Sequence, residues 1–186
     1  MTKLFFDTEF TGLHQKTTLI SLGIISECGK TFYAELTDYD KAQIDDWLRQ
    51  NVIANLFFTP KTENEQVDFG DGCFAYVGNI EGLKTALEEW LSQFGKVQMW
   101  SDCLSYDWVL LCEIFGHAFN MPEKVNYIPL DICTLFFAKG IDADINREEY
   151  AGTTEQLNEV YKWANKKHNA MWDAYVIREC FNRLNS

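Results

Sequence analysis

The sequence lacks an excess of basic residues. Its 186 residues include 16 Lys and Arg against 28 Asp and Glu, which gives a formal net charge of −12. A broad basic surface that grips a long duplex is therefore not expected. An acidic chain can still bind phosphate groups through metal ions that carboxylates hold, so that class of protein stays open.

Long apolar runs, linkers and paired cysteines are also missing. No run approaches the roughly 18 apolar residues of a membrane span, and the carboxylate of Asp7 comes too early for a signal peptide. The six cysteines form no C-x-x-C pair and have no histidine at ligand spacing, which favours reduced thiols used as small core residues. We therefore expect a cytoplasmic protein that does not contact membranes and forms one domain over residues 1–186.

What is present is a mixed pattern of strands and amphipathic helices. Three early apolar runs with short connections predict an antiparallel meander, and helices and single strands then alternate. The first predicted strand begins at Leu4, and the others cover 19–26, 31–36, 97–100 and 127–130. The predicted helices cover 41–50, 80–94, 104–115, 132–138 and 169–184, and one further helix opens at 153–156. Residues 55–79 lack periodicity and predict an irregular surface excursion with a turn at 70–72. The fold class that follows is α/β.

Four carboxylates fall at positions that face the core. Residues two apart in a strand share a face, so Asp7 and Glu9 point the same way as Phe5. Asp107 and Asp173 each share a helical stripe with apolar residues. A desolvated carboxylate without a partner costs several kcal/mol, so a divalent metal is the natural partner. Four carboxylates suit two hard cations about 3.5–4 Å apart, as in phosphoester cleavage.

A histidine lies beside this group. His168 stands five residues before Asp173, on a loop just ahead of the last predicted helix. A neutral imidazole there suits a general base. Two other acidic residues need separate interpretation: Asp131 is predicted to cap the helix after it, and Asp102 competes with Asp107 as the acidic residue of its region.

At these residues the chain resembles the DEDDh group of 3′–5′ exonucleases. The three motifs that carry the resemblance are FDTEFTGL at 6–13, SYDW at 105–108 and HNAMWDA at 168–174. Closer still, the chain resembles the mycobacterial-type exoribonucleases that trim poly(A), through further matches at 19–23 and 47–52. The sequence departs from the wider DEDDh group where Asp102 and Cys103 replace the usual His-Asn pair.

The resemblance implies a fold and a set of site residues. The fold is an RNase H-like mixed sheet, a three-strand antiparallel meander plus parallel strands, flanked by helices. Two Mg²⁺ or Mn²⁺ ions would be held by Asp7, Glu9, Asp107 and Asp173, with His168 as the catalytic base. The resemblance also implies that Phe10, Thr11 and Leu13 line the slot for the terminal nucleotide.

The activity implied is a metal-dependent 3′–5′ exoribonuclease that releases nucleoside 5′-monophosphates. Its partner would be a nucleic acid that is single-stranded or has a 3′ overhang, with RNA favoured, and the resemblance also points to a homodimer. Three alternatives stay open: a 3′–5′ DNA exonuclease with the same site, a non-catalytic nucleic-acid-binding module, and a phosphodiesterase limited to dinucleotides.

Overall fold

The computed structural model describes residues 1–58, 65–152 and 167–186. The strands are β1 (Thr2–Phe10), β2 (Leu19–Ser26), β3 (Thr31–Leu36), β4 (Glu65–Asp68), β5 (Phe74–Gly78), β6 (Val97–Ser101) and β7 (Leu130–Asp131). The helices are α1 (Asp46–Asn51), α2 (Ile80–Ser92), α3 (Leu104–Ile114), α4 (Ile132–Ala138), α5 (Arg147–Ala151) and α6 (Ala170–Leu184). No helix in these ranges has both the length and the apolar character that crossing a membrane requires.

The strands form one mixed sheet in the order β4-β5-β3-β2-β1-β6-β7. Strands β1, β2 and β3 pair antiparallel, as the predicted meander requires. Strand β6 runs parallel to β1, and β5 runs parallel to β3. The predicted α/β fold with a meander, parallel strands and flanking helices is therefore confirmed, and the sheet is consistent with the RNase H-like fold.

The two faces of the sheet pack against different helices. Leu4 and Phe6 of β1 belong to a buried cluster with residues of α2 and α3. Phe5, which points to the opposite face, belongs to a second cluster with residues of α4 and α6. Strand β1 is thus covered on both sides, and a side chain near its end can meet residues from either layer.

The prediction of an irregular excursion over residues 55–79 was wrong. Within it, β4 and β5 pair antiparallel, and β5 adds to the sheet beside β3. Ala75, Tyr76 and Val77 of β5 are all buried. A strand buried on both faces shows a continuous apolar run rather than an alternation, so the periodicity test missed it. The turn predicted at 70–72 is present and links the two strands, with positive φ at all three of its residues.

Several element bounds also differ from the predictions. The helix predicted over 41–50 is split into a 3-10 helix (Lys41–Gln43) and α1, because the Asp45 side chain caps a new start by accepting a hydrogen bond from Leu48 N at 2.8 Å. The strand predicted over 127–130 was wrong in extent: β7 holds only Leu130 and Asp131. Helix α5 was not predicted, and the helix predicted to open at 153–156 lies outside the described residues.

The thiols are only partly core residues. All six cysteines are free, as predicted, but only Cys112 and Cys180 are buried. Cys28 and Cys103 are exposed, so their predicted place in the core was wrong. Both follow the end of a strand, where the chain turns at the surface.

Candidate active site

Strand β1 brings Asp7 to the interior of the site. Asp7 is 8 % exposed and lies opposite Gly23 of β2 in the antiparallel register. A Cβ atom at Gly23 would stand 2.3 Å from the backbone carbonyl carbon of Ala170, closer than two such atoms can approach. The missing side chain therefore lets the start of α6 rest on β2 beside Asp7. Glu9 follows two residues later and is partly exposed.

Asp107 reaches the same region from the other layer. It lies in the first turn of α3 and is fully buried. Its Oδ1 accepts a hydrogen bond from Thr8 Oγ1 at 2.6 Å, and its Oδ2 accepts one from the Ser101 hydroxyl. These two contacts tie α3 to β1 and to the end of β6, so the position of Asp107 relative to Asp7 is fixed.

The start of α6 supplies Asp173 and His168. Asp173 Oδ2 accepts a hydrogen bond from His168 N at 2.9 Å, and Asn169 caps the helix by accepting one from Met171 N at 3.1 Å. His168 has a φ of 62°, in the left-handed region that a residue other than glycine seldom adopts. Its ring meets the edge of Trp47, with centroids 5.1 Å apart. The loop is therefore folded back toward the carboxylates.

These residues form two groups with the geometry of cation ligands. Glu9, His168 and Asp173 each offer a ligand atom within 4.8 Å of the others, and so do Asp7, Asp102 and Asp107. The charges of Asp107, Asp173 and Glu9 all act on Asp7, so the two groups are neighbours. The five residues that the sequence singled out for catalysis and metal binding therefore lie in one region. The structure adds Asp102, which the sequence analysis treated only as a rival of Asp107.

Burial dominates the electrostatics of the site. It raises the pKa of Glu9 to about 9, with the charges of Asp173 and Asp107 adding to the effect. Burial raises the pKa of Asp107 to about 7, although the hydrogen bonds from Ser101 and Thr8 work in the opposite direction. The pKa values of Asp7 and Asp173 are raised well above the usual range, again chiefly by burial. Without cations, these carboxylates therefore retain protons at a pH where ordinary carboxylates are ionised.

The donor set fits divalent cations. The Asp7 carboxylate, though buried, makes no hydrogen bond or ion pair with any residue in the described ranges, so its acceptor sites are unfilled. Carboxylate oxygens are the ligands that Mg²⁺ and Mn²⁺ prefer. A cation would replace the protons that burial favours and would supply the missing partner for Asp7. These residues are therefore suited to hold the implied metal ions.

The three residues expected to line the nucleotide slot differ in what they present. The Phe10 ring stacks on Tyr106, with centroids 5.3 Å apart, and Leu13 is 72 % exposed. Thr11 is buried, and its hydroxyl donates to Gln43 Oε1 at 2.7 Å. Phe10 and Leu13 thus offer apolar surface next to the acidic groups, whereas Thr11 fixes the loop between them.

Known proteins that are similar to this chain in sequence are exoribonucleases. The family model described as the 3′-5′ exoribonuclease Rv2179c-like domain matches residues 2–184. Two curated relatives are the 3′-5′ exoribonucleases Rv2179c and MT2234.1 from two strains of Mycobacterium tuberculosis. Each is 26 % identical over 140 residues, which is 74 % of this chain and 76 % of the relative.

Proposed function

The chain belongs to the Rv2179c-like 3′–5′ exoribonuclease family, and on that basis we propose that it is a DEDDh-type exonuclease that depends on divalent cations. It would remove nucleoside 5′-monophosphates one at a time from the 3′ end of single-stranded RNA or of a 3′ overhang. The observation that carries the proposal is the meeting of four buried or half-buried carboxylates with His168 at one end of β1.

Asp7, Glu9, Asp107 and Asp173 are the proposed cation ligands. Two Mg²⁺ or Mn²⁺ ions bound there would supply positive charge to the scissile phosphate and to the departing 3′ oxygen. The protein's own part is to hold these carboxylates at fixed positions before substrate arrives. The hydroxyls of Thr8 and Ser101 do this for Asp107, and the backbone of His168 does it for Asp173.

His168 is the proposed general base. Burial lowers the pKa of its imidazole, and the nearby charge of Lys167 lowers it further. At neutral pH the ring is therefore uncharged and can accept a proton on a ring nitrogen from the attacking water. The left-handed backbone at His168 and the edge of Trp47 hold the ring beside Glu9 and Asp173.

Phe10 and Leu13 are the proposed contacts for the terminal nucleotide. An aromatic ring that stacks on a base contributes about 1–3 kcal/mol without demanding a particular base. Phe10 already stacks on Tyr106, so its orientation is set before a base arrives. Recognition of a strand end by a small apolar slot also agrees with a chain whose net charge is −12. A homodimer stays a prediction from the resemblance, and a cytoplasmic location stays a prediction from the cysteines and the early carboxylate of Asp7.

A cleavage time course tests the proposal. RNA and DNA strands of matched sequence, labelled at either end, are incubated with the protein in Mn²⁺ or in EDTA. Loss of the 3′ label first, stepwise shortening of the 5′-labelled strand and no reaction in EDTA are expected, with RNA cleaved faster. Faster cleavage of DNA would favour a DNA exonuclease. If neither RNA nor DNA is cleaved, the alternatives are a dinucleotide phosphodiesterase and a non-catalytic binding module.

A pair of variants separates this site from a contaminating nuclease. Asp7→Asn removes a proposed cation ligand, whereas Asp131→Asn changes a nearby carboxylate that caps α4 by accepting a hydrogen bond from Cys133 N at 2.7 Å. Asparagine caps a helix as well as aspartate does, so the second variant is the matched control. Cleavage is expected to vanish in the first and to persist in the second. Equal activity in both would contradict the assignment.

A further inference from the structure

Asp102 lies inside the acidic site although the family resemblance assigns it no role there. It follows β6 directly, and one of its carboxylate oxygens lies within 4.8 Å of oxygens of both Asp7 and Asp107. The side chain is 23 % exposed, so it does not simply point into solvent. The site therefore contains five carboxylates where the resemblance implies four.

The carboxylates of this group differ in the number of hydrogen bonds that they accept. Asp107 accepts hydrogen bonds from two hydroxyls. Asp7, which is more than nine-tenths buried, accepts none from the described residues. An unpartnered buried carboxylate next to two others is strongly unfavourable in its ionised form unless a cation joins them. Asp7 and Asp107 alone would offer a cation few ligand oxygens. Asp102 adds a third carboxylate to the same group.

Arg147 forms an ion pair with Asp102 in this position. Its Nε lies 2.8 Å from Asp102 Oδ2, and its Nη2 donates a hydrogen bond to Cys133 Sγ at 2.8 Å. The Cys133 thiol in turn donates to the backbone carbonyl of Asp102 at 3.4 Å. A carboxylate has about four lone-pair sites, so an ion pair with one oxygen leaves capacity for a cation. Groups that orient a ligand in this way commonly surround metal sites.

We propose that Asp102 is a fifth carboxylate of the cation site, which binds one of the two cations together with Asp7 and Asp107. Arg147 is its positioning residue. The inference rests on the proposed function only in assuming a divalent-cation site. It predicts that the cation on the Asp7 side of the site depends on Asp102, whereas the one held by Glu9 and Asp173 does not.

Binding of Mn²⁺ to the whole chain tests this without using activity. Titration is followed by isothermal calorimetry and by the electron paramagnetic resonance signal of free Mn²⁺. The wild-type chain is expected to bind two ions, and Asp102→Asn to weaken one of them about tenfold or more. Asp131→Asn, which changes the charge by the same amount outside the group, is expected to bind like the wild type. Unchanged binding in Asp102→Asn would overturn the inference.

A double variant removes the remaining ambiguity. Asp102→Asn leaves the charge of Arg147 unpaired beside the site, and that charge alone could repel a cation. In Asp102→Asn with Arg147→Gln the charge is gone, so continued weak binding supports a direct contact, whereas recovery of wild-type affinity overturns it. Melting curves in EDTA check folding, and Asp102→Ser replaces the asparagine variant if that one is unfolded. A wild-type chain that binds no Mn²⁺ would refute the cation dependence of the proposed function itself.

Discussion

The chain buries carboxylates in two regions and gives them opposite surroundings. On β3, the Glu35 side chain is 2 % exposed and accepts hydrogen bonds from the Tyr33 hydroxyl at 2.8 Å, from Phe58 N at 2.9 Å and from Phe57 N. On β1, Asp7 is 8 % exposed and accepts none from the described residues. Both residues are buried on folding, but among the described residues only Glu35 received hydrogen-bond donors.

The difference separates a structural carboxylate from one kept for a ligand. Glu35 links β3 to the segment at Phe57 and Phe58, so its donors explain why it is tolerated in the interior. Asp7 has no such explanation within the described chain, and further carboxylates surround it. Burial alone therefore does not mark a functional acid. At Asp7 the unfilled acceptor indicates a ligand site, because a buried ionised carboxylate without donors is costly unless a ligand offsets its charge.

Replacement of Asp7, the buried carboxylate without a donor among the described residues, should have the greatest consequence. Asp7→Asn should reduce exonuclease activity about a thousandfold or more, since it removes a charge that the proposed cations require. The same change should raise the melting temperature of the cation-free protein by about 3–6 °C. The physical reason is that the pKa of Asp7 is raised in the folded state. The stability it contributes is present at low pH and is lost as the pH rises through that folded value.

Melting curves in EDTA at acid and mildly alkaline pH check this prediction. The gain from Asp7→Asn should be larger at the higher pH, where the wild-type carboxylate is forced to ionise. Mn²⁺ should stabilise the wild type and should have less effect on the variant. A variant that is less stable than the wild type in EDTA would show that Asp7 has a structural partner after all.

Features that depend on periodic or local sequence patterns could be predicted from the sequence. The meander and the helices that carry the site were predicted because their apolar residues follow the periods of strand and helix. The acidic pair on β1 was identified because a carboxylate on a core-facing position contradicts the pattern around it. Asp131 was correctly predicted as a cap because the signal needs only the helix that follows it.

Long-range arrangements were not accessible in this way. Strand β5 is recognisable only from its pairing with β3, which lies far away in the sequence. The place of Asp102 in the site depends on Arg147 of α5, a helix that was not predicted. Gly23 does offer a signal, because a glycine inside an apolar strand often marks a close backbone approach. What approaches it could not be read from the sequence.

His168, the proposed general base, lies beside Glu9 and Asp173. His168→Ala should lower the rate at saturating Mn²⁺ about 10²–10⁴-fold, because the attacking water loses its proton acceptor. Binding of Mn²⁺ should change far less than when Asp7 is replaced. His117→Ala, at an exposed histidine on a different loop, is the matched control and should keep full activity. Equal losses of rate and of Mn²⁺ affinity would identify His168 as a ligand rather than a base.

A smaller and graded effect is expected from pH. Burial and the charge of Lys167 lower the pKa of His168 below its ordinary value of 6.5, although the charge of Glu148 acts against them. The rate at saturating Mn²⁺ should therefore fall about tenfold per pH unit below that pKa and level off above it. Bound cations add positive charge and move the midpoint in the same direction. A rate that is flat from about pH 5 to pH 8, or a wild-type-like slope in His168→Ala, would contradict the role of this residue.

Catalysis should be least affected by replacement of Glu35, the structural carboxylate of β3. Glu35→Ala should lower the free energy of unfolding by about 2–4 kcal/mol, since it leaves the Phe57 and Phe58 N–H groups and the Tyr33 hydroxyl without this acceptor. Glu35→Gln keeps an acceptor oxygen and should cost much less. Chemical denaturation measures both, and Mn²⁺ binding should stay at the wild-type level in each. The two regions are in contact, because Asn169 Nδ2 donates to Tyr33 Oη at 3.3 Å. A large loss of rate in folded Glu35→Ala would therefore mean that Glu35 supports the His168 loop through this contact, and the separation between a structural and a functional carboxylate would fail.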